Sequence, residues 1–97
     1  MEKKEISKLR RRITILQKQL SDLGPVMRGC VVMLGPKNGT KRPMFSLNKD
    51  GKTHLVYLGV KREAKAKEYL ENYKKLMDIV EEMTMINMTL LKENVVE

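Results

Sequence analysis

The chain reads as an α+β domain: an N-terminal helix, a three-stranded antiparallel β-meander and a long C-terminal helix. Three observations predict it. Apolar residues recur at spacings of 3 and 4 over residues 6–23 and again over residues 66–91, the period of a helical face. Residues 26–60 switch to short β-branched and apolar runs broken by Gly, Pro, Asn and Asp. Asp50-Gly51 stands between two such runs, a strong two-residue hairpin signal because both central positions need positive φ. With 97 residues this is one domain, divided as an amphipathic helix 1–23, a meander 24–59, a long helix 60–93 and a tail 94–97.

In the first segment Ile6, Ile13 and Leu20 fall at a and Leu9, Leu16 and Leu23 at d, a coiled-coil seam of three heptads. β-Branched residues at two of the three a positions, with Leu at each d, favour two parallel strands, and Glu5 at g is placed to meet Arg10 at e of a neighbour. The same stripe also suits a helix folded back on its own domain, so both arrangements stay open. Gly24-Pro25 is the stop signal, Gly in the usual terminal place and Pro just beyond it.

In the meander, Val26–Leu34 is the first expected strand, Gly35–Pro43 a turn-rich loop, and Met44–Asn48 and Thr53–Leu58 the arms of the hairpin. A two-residue turn sets Phe45 opposite Val56 and Leu47 opposite His54. Phe45, Leu47, Val56 and Leu58 then share the core face, with Ser46, Leu55 and Tyr57 on the other.

From Val60 the helical period returns through Ala66, Tyr69, Tyr73, Leu76, Val80, Met83, Asn87 and Leu90, widened by Leu70, Met77, Ile79, Ile86 and Leu91. A helix from Val60 to Glu93 is about 50 Å long, more than a small sheet covers, so its apolar face calls for the first helix, another chain, or both. The expected oligomer, a dimer as first choice, uses Ile6, Leu9, Ile13, Leu16 and Leu20 with Tyr73, Leu76, Val80, Met83, Asn87 and Leu90. Asn87 stands where a hydrophobe is expected; a seam Asn fixes register by pairing with its own copy, and the alternative is a wetter end of the stripe. Asp78, Glu81, Glu82 and Glu93 make an acidic face that can answer Arg10, Arg11 and Arg12.

Composition narrows the function. There is no Trp, one Phe, three Tyr and eight Met, so the core is aliphatic and adaptable. The one cysteine, Cys30, forms neither an internal disulfide nor a zinc site by itself, and a reducing cytoplasm is the expected location. No apolar run reaches the roughly 18 to 20 residues of a membrane span, and residues 1–23 lack the apolar block of a secretory signal. His54 is the single histidine, and Gly35–Thr40 lacks the Gly-Lys-Ser/Thr ending of a phosphate cradle. A Cys30–His54 pair across the sheet is the one nucleophile arrangement available, against the plainer role of Cys30 as a small hydrophobe. The expectation is a protein that is not an enzyme and uses no cofactor or metal.

Charge points to a partner. Residues 1–23 carry seven Lys/Arg against three acids, residues 24–62 eight against one, and residues 63–97 five against eight. A basic segment between two helices is a place for a polyanion. Its cations, Arg28, Lys37, Lys41, Arg42, Lys49, Lys52, Lys61 and Arg62, fall on strand ends and turns, from which long side chains reach phosphates without entering the core. Nucleic acid is the expected partner, DNA before RNA, through the phosphate backbone; Tyr57 is the one sheet aromatic placed for stacking, which disfavours base-stacked single strands. The rival is a self-associating interaction module, an inhibitor or adaptor, whose basic sheet meets an acidic protein surface.

Finally, Gly51–Leu58, Val60-Lys61-Arg62-Glu63, Tyr69–Leu76 and Ile86–Leu91 together resemble an uncharacterised family of short bacterial and archaeal proteins, with the likeness covering roughly residues 24–91. The resemblance implies a helix, a small hairpin-rich sheet and a long helix, and a setting beside mobile genetic elements, viral ones included. It also implies a cluster of cysteines in the loop after the first strand; here Lys37, Asn38, Gly39 and Thr40 occupy that loop, and Cys30 alone remains.

Overall fold

The computed structural model describes residues 2–95; Val96 and Glu97 of the expected tail lie outside them. The elements follow in the expected order: α1 (Lys3–Ser21), β1 (Cys30–Leu34), β2 (Arg42–Lys49), β3 (Lys52–Tyr57) and α2 (Gly59–Lys92). The chain divides into two compact units, residues 24–74 around the sheet and a helical hairpin made of residues 1–23 and 75–97.

In the sheet unit the strands run β1-β2-β3, all antiparallel. Asp50 at φ 55° and Gly51 at φ 75° form the turn, so Lys49 pairs with Lys52, Leu47 with His54 and Phe45 with Val56. The Thr53 hydroxyl donates to Asn48 Oδ1 at 2.8 Å beside the turn. Leu58 N–H continues the ladder to Pro43 O at 3.1 Å, after which Gly59 reverses the chain at φ 69° into α2.

The first strand starts later than its apolar run suggests. Val26–Gly29 form no ladder; Met27 N–H instead donates to Tyr69 O of α2 at 3.2 Å, and its side chain packs with the core. Asn72 Nδ2 donates to Pro25 O at 2.9 Å, and an added Cβ on Gly24 would stand 3.1 Å from that nitrogen. Gly24 thus makes room for a side chain rather than ending α1 through positive φ; the cap is Asp22, whose N–H bonds Lys18 O.

Phe45, Leu58 and Ala66 form the buried centre of this unit, with Met27, Val31, Leu47 and Leu70 against it. Apart from Met27, in the segment before β1, these residues belong to β1, β2, the β3–α2 connection and α2 itself, so the helix covers β1 and β2. The expected core position Val56 is 54% exposed, because it stands on the outer strand β3 beyond the helix.

In the hairpin unit Leu16, 1% exposed, meets Ile79, Ile86 and Leu90, with Ile6, Leu9, Ile13, Leu23 and Met83 half-buried around them. The d line of α1 is therefore spent inside its own chain, the second of the two arrangements its spacing allows, while Leu20 stays 39% exposed. The buried line of α2 is Ile79–Ile86–Leu90, one flank of its wide stripe. Val80 is 40% exposed and Asn87 is exposed, because a single helix covers one flank of an apolar face this broad.

Asn94 ends α2 at φ 60°, with Val95 N–H bonding Leu90 O at 2.8 Å and Asn94 N–H bonding Leu91 O at 3.0 Å. This is a Schellman closure, and Val95 packs on the hairpin core as its hydrophobic contact.

Candidate nucleic-acid interface

Register decides where the sheet cations stand. Leu34 pairs with Arg42 at one end of the β1–β2 ladder, and Lys49 with Lys52 at the opposite end of β2–β3. Lys37 and Lys41 lie in the loop that leads into Arg42, and Lys61 and Arg62 in the first turn of α2, which leaves the sheet just after Tyr57. Arg28 belongs with the turn end: its Nη1 donates to Asn48 O at 3.4 Å. The eight cations do not share one point. They form a group of five (Lys37, Lys41, Arg42, Lys61, Arg62) and a group of three (Arg28, Lys49, Lys52), separated by the length of β2. Seven residue steps put the two ends about 24 Å apart.

Each group is held out from the core by local structure. The loop is braced by Gly39 N–H to Pro36 O at 3.2 Å, and Gly35 and Gly39 pass so close to Thr40 and Pro36 that a Cβ on either would lie within 2.5 Å of them. Arg42 stands over the Tyr57 ring at 5.9 Å, which fixes the guanidinium on the solvent face of the sheet. All eight residues are exposed, and among the described residues none is bridged by a carboxylate. The α2 ion pairs nearest in sequence, Lys67–Glu63 at 3.0 Å and Lys65–Glu68 at 3.4 Å, engage other lysines. Asp50, the one acid of residues 24–62, sits at the turn position whose positive φ an Asp tolerates. As a whole the sheet unit carries eleven Lys/Arg against four acids.

The arginine run on α1 is partly consumed. Arg12 clasps Glu82 with two hydrogen bonds, Nη2 to Oε1 at 2.9 Å and Nε to Oε2. Those bonds hold the Glu82 carboxyl below the usual range and raise the Arg12 guanidinium further, each with a smaller coulombic part and against desolvation. Arg10 and Arg11 remain exposed.

The nucleophile arrangement does not form. Cys30 pairs with Ser46, which pairs with Leu55, whereas His54 pairs with Leu47; alternation puts Cys30 and His54 on opposite faces of the sheet. Two features escaped the sequence reading. One is the Arg42–Tyr57 stack; its signal was available, since the hairpin register sets Met44 opposite Tyr57, two residues from Arg42. The other is that Leu34 joins Leu55 on the open face, where the two are 45% and 47% exposed. Against family models, curated proteins and solved structures alike, the chain finds no match.

Proposed function

We propose that this chain is a small nucleic-acid-binding protein that grips the phosphate backbone, duplex DNA before RNA, with the two cationic ends of its sheet. One observation carries the reading. A unit with eleven Lys/Arg against four acids leaves eight cations exposed and unbridged at both ends of one rigid strand. Phosphates of one DNA strand advance about 3.4 Å along the axis, so ends about 24 Å apart span about seven steps. Contacts at both ends fix the protein along the backbone without reading bases, as phosphate contacts do generally. Cys30, an exposed free thiol, suits a reducing compartment, and the reading includes a cytoplasmic location. No described helix is long and apolar enough to cross a membrane.

A salt series on a random duplex tests this. Six phosphate contacts give a slope of about −5 in log affinity against log salt. Lys41→Glu with Arg42→Glu removes part of one end, and Lys49→Glu with Lys52→Glu part of the other. Each pair is expected to flatten the slope by about 2. Absence of binding at low salt, or an unchanged slope in both double variants, overturns the reading. The rival, a self-associating module whose basic sheet meets an acidic protein surface, is favoured by the exposed Leu34 and Leu55 on the open face of the sheet; it predicts no affinity for the duplex at low salt, and binding to an acidic protein that the same end-cation variants weaken.

A further inference from the structure

The two long sides of the helical hairpin differ in chemistry. One side is charged and closed by the Arg12–Glu82 clasp, with Gln19, Asp22, Lys75 and Asp78 around a groove floored by Leu16 and Ile79. The other holds a groove of about 410 Å³ lined by Ile13, Met83, Leu90, Leu91 and Val95, with Arg10, Gln17 and Asn87 at its margin. Beside it the apolar stripe of α2 continues: Val80 is 40% exposed, Leu91 60% and Met88 58%.

We propose that this second side is the docking face for another copy of the chain, which closes two hairpins into a four-helix bundle. Three observations select a copy of the chain over a different partner. The hairpin unit is nearly neutral, with nine Lys/Arg against eight acids, so two copies meet there without the repulsion that their sheet units would bring. Arg10 is the single ionisable side chain lining the groove, so the face carries too little charge to select a strongly acidic or basic partner.

The polar groups that remain are two carboxamides. Gln17 and Asn87 each carry a donor and an acceptor, and neither bonds another protein group among the described residues. A twofold contact presents each face with its own pattern, so amide meets amide and both are satisfied. The hairpin core by itself is also thin. Leu16, Ile79, Ile86 and Leu90 are its only buried hydrophobic residues among those described, whereas a bundle buries a stripe on every helix.

The size of the face bounds the contact. From Leu76 to Leu91 it runs about 22 Å, across two helices of about 10 Å, or on the order of 450 Å² per copy. Two copies then bury on the order of 900 Å² in total, below the standard range, which marks a weak and reversible dimer.

Sedimentation equilibrium of the full chain, freed of nucleic acid, tests it. The expected result is a monomer–dimer equilibrium in the micromolar range. Val80→Lys and Leu91→Lys, at positions already exposed, should each weaken it by about tenfold or more. Ile15→Lys, 44% exposed on α1 but outside the groove, should leave it unchanged. Helical circular dichroism verifies that each variant stays folded. A monomer at several hundred micromolar overturns the proposal, as does a dimer that Val80→Lys and Leu91→Lys leave intact or that Ile15→Lys weakens equally. Glu substitutions at Lys41, Arg42, Lys49 and Lys52 lie in the other unit and should leave the dimer constant unchanged, so failure here and failure of nucleic-acid binding are separate results.

Discussion

Two glycines with positive φ show how differently the same residue type is used. Gly29, at φ 139°, lies where an added Cβ would stand 2.6 Å from Ser46 O and 2.7 Å from Phe45 Cζ. Its neighbours are β2 backbone and the buried ring, neither of which can yield. Gly51, at φ 75°, has nothing within 4 Å of the same added atom. Gly29→Ala therefore combines backbone strain with a clash and should cost more than about 3 kcal/mol, while Gly51→Ala pays for strain alone, about 1 kcal/mol. Urea unfolding of the two variants measures the difference. Equal losses would mean that Gly29 is not pressed against Phe45. The sequence singled out Gly51, because Asp-Gly between strands is a local signal; Gly29 was invisible, because its demand comes from residues sixteen and seventeen positions away.

At the scale of elements, what could be read in the sequence was whatever local chemistry decides. A two-residue turn fixes its own register, so the pairs Phe45–Val56 and Leu47–His54 follow from Asp50-Gly51 alone. The length of α2 followed from its unbroken period. The flank of that helix that α1 would cover did not, since periodicity defines an apolar arc but carries no direction for the neighbour. The start of β1 was missed for a related reason: Val26 and Met27 look like strand residues, yet Met27 docks on α2. Of the candidate site, the cationic residues were evident from charge and turn placement. Their division into two groups needed the register, which assigns Arg42 and Lys49 to opposite ends of one strand. The helix–helix clasp makes a prediction at this scale. Hydrogen bonding to Arg12 depresses the Glu82 pKa, so its contribution is complete above the ordinary carboxylate range and is lost as pH falls through the folded value. The stability difference between wild type and Glu82→Gln should be largest near neutrality and close as pH drops below about 4. Thermal melts across that range check it; a difference that does not vary with pH would show that Arg12 gains nothing from the Glu82 charge.

For the whole molecule, the decisive feature is that net charge is partitioned between the two units, whereas exposed apolar residues occur on both, Leu34, Leu55 and Val56 in the sheet unit and Val80, Met88 and Leu91 in the hairpin unit. The sheet unit holds nearly all the net positive charge, and the hairpin unit holds the apolar groove of Ile13, Met83, Leu90, Leu91 and Val95. If the sheet unit grips phosphates as proposed, a surface of this size makes few contacts and binds weakly at physiological salt, because salt lowers the gain from counterion release. The dimer proposed above would carry two such units on one particle, and the second would then bind at the effective concentration set by the first. Duplex length should therefore matter beyond the number of available sites. A duplex of about 40 base pairs is expected to bind at least about tenfold more tightly than one of about 10, which accommodates a single sheet of about seven phosphate steps. Val80→Ser with Leu91→Ser, which leaves every charge in place, should remove that excess for the long duplex and leave the affinity for the short one unchanged. Fluorescence anisotropy with both duplexes at fixed salt reads the comparison directly. If the two lengths differ only by their count of overlapping sites, or if the serine variant loses affinity for both alike, the hairpin does not serve to bring two basic units onto one nucleic acid.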